Sequence, residues 1–432
     1  MDLLATAKKV MPGATLGIFS LPDNLRPVIV KGEGCKVTDH TGKTYIDYVL
    51  SSGPLLVGHA HPEVVEAVQK QAALGSSYYL LNKPAILLAE KIVNAVPCGE
   101  SLRYQLGGSD ATANAIRLAR GKTGRKLVLK FQGGFHGWHD IAQHSIDATS
   151  NASSAVPESA GISESVTADI RIAQFNDINS VKKIISENNG QIAAIIVEPM
   201  QRVLLPSPGF LSSLREIANS EKIVLIFDEI VTGFRLAWGG GQEAFSVVPD
   251  LACYGKVIGG GYPISAVVGS EELLAQADPT RKGSDNYCYM GGTLTGNPVA
   301  AAAGLATLEI LERKDVYPTL YNLAAQLHAG LEEVGRYYGF TLNVSGMGPV
   351  LQVFFTESQK KNSSVNVQNV DKYLSKIFAY EMIARGILIS PASKIYISLA
   401  HTSADIAKTI SVAGDALAAI ARSRFETDRR KI

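Results

Sequence analysis

Cysteine is scarce in this chain and never closely paired. The four residues, Cys35, Cys98, Cys253 and Cys288, form no Cys-x-x-Cys unit. That spacing argues against a zinc ribbon or a disulfide framework and fits a reducing cytosol. A surplus of one charge is missing too: 41 Lys and Arg stand against 40 Asp and Glu, a formal net charge of +1. Such a balance gives no pull toward nucleic acid or an anionic membrane surface. No apolar run reaches the roughly 18 residues that a membrane helix needs. The N-terminus carries Asp2 and then Lys8-Lys9 with no long apolar stretch behind them, unlike a secretory signal, so a cytoplasmic location is expected. There is no internal repeat. The Gly-x-Gly-x-x-Gly fingerprint of dinucleotide enzymes is also absent, which argues against a dehydrogenase.

What is present is an ordinary globular composition, 46% apolar and 19% charged, in 432 residues, enough for two domains. Short strands open the chain, with a turn at Asp39-His-Thr-Gly42. From Pro62 helices alternate with apolar runs. Ser101–Leu106, Lys126–Phe131, Gln191–Val197 and Ile223–Phe227 read as strands, and the near-continuous apolar character of the last two predicts burial on both faces. The order predicts an α/β fold with a mostly parallel sheet between helices. Residues 140–168, rich in Ser, Ala, Thr and Asn, interrupt the pattern and are expected to form a lid or a disordered insert. The last 130 or so residues read as a smaller α+β domain.

Three stretches carry chemistry. Tyr254-Gly255-Lys256-Val-Ile-Gly259-Gly-Gly261 sets one lysine among glycines after an apolar segment. Taken alone it is a surface lysine at a strand end. Asp228 ends the strand Ile223–Phe227, where a carboxylate needs a cationic or hydrogen-bonded partner, although a strand-end surface acid or a magnesium ligand has the same pattern. Gly107-Gly108-Ser109-Asp110 joins a strand to a helix, so free N–H groups and the helix dipole can take an anion. An amine, a buried acid and a phosphate turn are what a pyridoxal-phosphate enzyme must supply. In Phe135-His136-Gly-Trp138-His139 an aromatic could stack on a flat ring. The two histidines could suggest a metal, but no third ligand is evident, and no metal is expected. Gly291-Gly292-Thr293-Leu-Thr-Gly296-Asn-Pro298 is a second glycine-rich loop before a helix.

Several motifs agree in order and spacing with one family: Gly58-His-Ala-His-Pro62, Gly108-Ser-Asp-Ala-Thr112, Phe135-His-Gly-Trp138, Val197-Glu-Pro199, Asp228-Glu-Ile-Val-Thr-Gly-Phe-Arg235, Gly255-Lys256 and Gly292-Thr293. From about Met11 to Ala421 the chain resembles the class III aminotransferases of fold type I, in the branch close to glutamate-1-semialdehyde 2,1-aminomutase. The resemblance implies a large domain (61–305) around a seven-stranded, mostly parallel sheet. It implies a small domain made of residues 1–60 and 306–432. Pyridoxal 5'-phosphate would be the cofactor, held by Lys256 as a Schiff base and paired through its ring nitrogen with Asp228. Ile230 and Phe135 would cover the ring faces, Gly108 and Ser109 would bind phosphate, and His136 and Glu198 would lie beside the ring. Thr293 would reach the cofactor of the neighbouring subunit, making a homodimer.

This chain also departs from that pattern. Phe135 stands where the family usually has tyrosine. The aminomutase's Ser-Pro-Val-Arg motif is replaced by a stretch ending in Arg26-Pro27, and its tryptophan by Ser51-Ser52-Gly53. Arg26 and Ser52 are therefore the substrate-side candidates. The expected activity is ping-pong transfer of an amino group from an amino acid, β-amino and aromatic ones included, to a keto acid. The alternative is the aminomutase, which moves the group within one molecule.

Overall fold

The computed structural model of the chain describes residues 2–17, 19–147, 154–356 and 370–429, without the side chains of residues 424–429. Part of the expected insert, residues 148–153, thus lies outside the described residues. The chain divides into two compact units, one of residues 1–61 and 318–432 and the other of residues 62–317.

The second unit is built on a seven-stranded sheet. Its strands in chain order are β1 (Ser101–Gln105), β2 (Leu127–Phe131), β3 (Ile170–Ala173), β4 (Ile192–Val197), β5 (Val224–Asp228), β6 (Leu251–Tyr254) and β7 (Ser265–Gly269). Their order across the sheet is β1-β7-β6-β5-β4-β2-β3. Pairing is parallel from β6 through β5, β4 and β2 to β3, while β7 runs antiparallel to both β1 and β6. Every residue of β2, β4, β5, β6 and β7 is buried, as their apolar runs require of strands covered on both faces.

The reversed strand β7 decides where loops meet. Ser265, at its start, pairs with Gln105 at the end of β1, and Ala266 pairs with Tyr254 at the end of β6. The turns that leave β1 and β6 therefore flank the start of β7. Asp228, at the end of β5, lies in register with Cys253 of β6. The chemistry-bearing loops thus gather at the carboxyl ends of the parallel strands, where open α/β sheets bind ligands.

Two helices fix this edge. Helix α1 (Gly108–Thr123) follows β1 directly and packs its Ala111, Ala115, Ile116, Leu118 and Ala119 against the sheet. Helix α2 (Pro298–Leu311) is apolar almost all round and packs against the turn that holds Lys256. That approach needs two glycines. A Cβ on Gly304 would stand 2.0 Å from the Ile258 carbonyl oxygen, and one on Gly260 would stand 2.2 Å from Thr307 Oγ1.

The insert is not structureless. His144 bridges Pro157, and Glu164–Ala168 forms a short helix before the edge strand β3. Lys130 of β2 fastens it from below: Nζ donates to the Ala142 carbonyl at 2.9 Å and to the His144 carbonyl.

The first unit holds a four-stranded sheet in the order Ile29–Glu33, Lys36–Asp39, Thr44–Asp47, Ile387–Leu388. A three-stranded sheet of Leu342–Met347, Val350–Phe355 and Ile395–Tyr396 accompanies it. Tyr48, Leu327, Phe355, Phe378 and Ile397 lie in its core.

Candidate active site

The site of the second unit is best built outward from Lys256. Gly255 follows β6 in an extended conformation, and Lys256 then turns into the left-handed region at φ 47°. A non-glycine residue there costs on the order of 1 kcal/mol or more, so the surrounding packing must hold it. The α2 contact described above supplies that packing. Lys256 Nζ has no hydrogen-bond partner among the described residues. Burial pushes its pKa below the usual lysine value, while the negative charge of Asp228 opposes the shift.

Asp228 is buried and its oxygens are directed. Oδ1 accepts the Ile230 N–H at 3.1 Å and Oδ2 lies 2.8 Å from His136 Nδ1. A carboxylate only accepts, so Nδ1 carries the proton of that bond. His136 Nε2 is buried with no partner among the described residues. The His136 carbonyl is held in turn by Thr112 Oγ1 at 2.5 Å, and His139 Nε2 lies 3.1 Å from the same hydroxyl. The histidine pair is thus engaged by an acid and a hydroxyl.

The anion turn lies beside β7. Ser265 Oγ donates to the Gly107 carbonyl at 2.7 Å, and Asp110 caps the helix by accepting the Gly107 N–H at 2.9 Å. The N–H groups of Gly108 and Ser109 open α1 without a carbonyl partner, as first-turn groups must. Ser109 Oγ accepts the Trp138 N–H at 3.1 Å, so its own proton is left to donate. Ile230 adjoins both turns: a Cβ on Gly108 or on Gly255 would come within 3.0 Å of its Cδ1. Opposite these lies Glu198, just past β4, whose Oε1 accepts the Phe135 N–H at 2.8 Å and whose Oε2 accepts the Arg202 N–H at 2.9 Å.

The structure therefore brings together Lys256, Asp228, Ile230, Gly108, Ser109, Phe135, His136 and Glu198. Thr293 is exposed on a loop of the same unit. The loop is tied down where Asn82 Nδ2 donates to the Gly296 carbonyl at 2.9 Å and Asn297 Nδ2 to the Ser76 carbonyl at 2.7 Å.

In the first unit Arg26 is already engaged. Its guanidinium donates to the carbonyls of Leu21, Gly13 and Ala14 and to Ser20 Oγ, at 2.7 to 3.3 Å. Such a head group ties its own segment together and has few donors left for a carboxylate. Ser52 is exposed in a left-handed run of Leu50, Ser51, Ser52 and Gly53, with φ of 44°, 57°, 68° and 105°. Asp47 Oδ1 holds that run by accepting the N–H groups of Val49 at 2.8 Å and Leu50 at 3.1 Å.

Sequence reading missed three contributors. Ser265 gave no signal because β7 is five short residues after a Gly-Pro-rich turn. Thr112 works through a single hydroxyl inside a helix. Arg202 depends on a loop conformation, φ 61°, that composition does not reveal.

A lysine without an ionic partner among the described residues and with a pKa lowered by burial suits covalent and proton-transfer chemistry at an amine or carbonyl. Around it stands the sheet and helix order of the transaminases. The chain belongs to the class III aminotransferases, whose family description fits residues 21–416. Among curated proteins it is 39% identical over 426 residues to a glutamate-1-semialdehyde 2,1-aminomutase of Desulfitobacterium hafniense, covering 96% of this chain and 97% of that one. It is 41% identical to the enzyme of that name from Thermomicrobium roseum, covering 91% of each. Among solved structures, an omega-transaminase from Sphaerobacter thermophilus superposes with a TM-score of 0.89 at 32% identity over 96% of both chains.

Proposed function

We propose that this enzyme uses pyridoxal 5'-phosphate to move an amino group from an amino acid to a separate keto acid. The observation that carries the reading is the pairing of an unpartnered Lys256 with a buried, histidine-held Asp228 beside the free N–H groups of α1. The solved relatives include a transaminase with this cofactor bound, at a TM-score of 0.89 and 25% identity.

The residues fit the group. Gly108 and Gly255 leave open the space beside Ile230 that a Cβ would fill. The Gly108 and Ser109 N–H groups and the Ser109 hydroxyl are donors suited to a phosphate. Asp228 keeps lone pairs for a protonated ring nitrogen after accepting from Ile230 and His136. When bound, pyridoxal phosphate supplies an aldehyde that condenses with amines and a ring that draws electrons from the carbon bearing the amine. Lys256 Nζ would hold that aldehyde. Displaced by a substrate amine, Nζ would take a proton from the amine-bearing carbon and deliver it to the carbon that had been the aldehyde. Its depressed pKa leaves more of it unprotonated for both tasks. His136 Nδ1–H fixes the Asp228 carboxylate, and Phe135 and Ile230 would cover the ring.

A homodimer completes the proposal, with Thr293 reaching the neighbouring subunit's cofactor. Its loop stands beside a strap whose Tyr79, Leu80 and Leu81 are 80%, 77% and 89% exposed. Apolar side chains so exposed in a row suit a subunit contact.

A second reading, the aminomutase, is supported by the names of the curated relatives. Incubating the enzyme with an isotopically labelled amino donor and a separate keto acid distinguishes the two. Label in the new amino acid supports transfer between molecules. Isomerisation of glutamate-1-semialdehyde with no transfer of label to an added keto acid supports the aminomutase.

A further inference from the structure

The guanidinium beside Phe135 has no role in the chemistry above. Arg202 follows Glu198 by four residues, in a turn closed by a bridge between Gln201 and Leu204. Its backbone is left-handed, and its N–H is accepted by Glu198 Oε2 at 2.9 Å. Nε donates to the Gly133 carbonyl at 3.3 Å, and the guanidinium carbon lies 5.0 Å from the centre of the Phe135 ring. Backbone, Nε and ring together orient the head group. Its two terminal nitrogens, Nη1 and Nη2, have no hydrogen bond or ion pair among the described residues. Glu198 holds the backbone of Arg202 rather than its guanidinium.

We propose, building on the amino-transfer reading, that Arg202 receives the carboxylate of the amino-acid substrate through its Nη1–Nη2 fork. Three facts point this way. A pre-oriented guanidinium matches a carboxylate in two parallel hydrogen bonds. Its charge acts on Lys256, lowering that group's pKa, so the fork lies within electrostatic reach of the reacting amine. Arg26, the sequence's other candidate, is instead engaged by its own segment. Arg202 is thereby a specificity-determining residue that selects amines carrying a carboxylate.

The test uses holoenzyme of the wild type, Arg202→Gln and Arg202→Lys, and has two arms. In the first, glutarate and 3-phenylpropanoate, which carry no amine, are titrated by calorimetry. Loss of the fork is expected to weaken the tighter of the two by roughly 10- to 100-fold in Arg202→Gln, with an intermediate loss in Arg202→Lys. In the second, kcat and KM are measured for 3-amino-3-phenylpropanoate and for 1-phenylpropylamine, its counterpart without the carboxylate. A rise in KM confined to the carboxylated donor supports the proposal. Equal losses for both donors would make Arg202 a support for the Phe135 ring and overturn it. So would unchanged carboxylate affinity in the variants, or no saturable binding to wild type. The calorimetric arm needs no turnover, so a failure of the amino-transfer reading itself would show separately, as inactivity of wild type in the second arm.

Discussion

At the scale of single residues, the site depends on charges whose surroundings differ sharply. Asp228 is held by one histidine and one backbone N–H, and its charge acts on a lysine kept below its usual pKa. Asp228→Asn keeps the shape but removes the charge. Turnover is expected to fall roughly 10²- to 10³-fold, with the fold and the cofactor's phosphate contacts retained; circular dichroism and steady-state rates check this. Lys130 offers an independent measurement. Burial lowers its pKa to about 7, so between pH 7 and its unfolded value near 10.5 the unfolded chain binds a proton that the folded chain does not. Stability contributed by this group therefore rises with pH across that window. Lys130→Met is expected to remove a slope of about 1.4 kcal/mol per pH unit there, read from denaturant melts between pH 7.5 and 9.5. The lysine and the acid were legible in the sequence because each interrupts an apolar or glycine-rich stretch. Arg202 was not, since its meaning comes from a stack on Phe135 that only the folded loops create.

At the scale of elements, helices and most strands, the edge strand β1 included, were readable from apolar runs and capping residues, and β3 and β7 were not. β7 is a short run, Ser-Ala-Val-Val-Gly, and its antiparallel direction is set by its neighbours rather than by its composition. β3, at the sheet margin, is fully buried only at its two end residues and was hidden by the polar insert before it. The contact between α2 and the Lys256 turn was likewise invisible, because a glycine in an alanine-rich helix reads as a minor fault. Its value can be measured. Alanine at Gly304 gains about 1 kcal/mol of helix propensity. Its Cβ, however, would stand 2.0 Å from the Ile258 carbonyl oxygen, and relieving that overlap costs typically 1–3 kcal/mol or more. The clash is expected to win: Gly304→Ala should lower the melting temperature and loosen cofactor retention. Unchanged melting would show that α2 can move away from the turn at no cost.

At the scale of the whole molecule, the proposed dimer makes each site a joint product of two chains. Mixing Lys256→Ala and Thr293→Asp subunits by refolding tests this. Neither homodimer should hold cofactor tightly. The mixed dimer should recover one tight site, since one site then combines an intact Lys256 with an intact partner Thr293. No recovery would place Thr293 outside the neighbouring site. All of it rests on a covalent bond at one nitrogen. Purified protein loaded with pyridoxal phosphate, reduced with borohydride and digested, can be mapped by mass spectrometry. The expected result is a pyridoxyl adduct on Lys256, absent from Lys256→Ala. An adduct on a different lysine, or none on the folded, loaded protein, would contradict it.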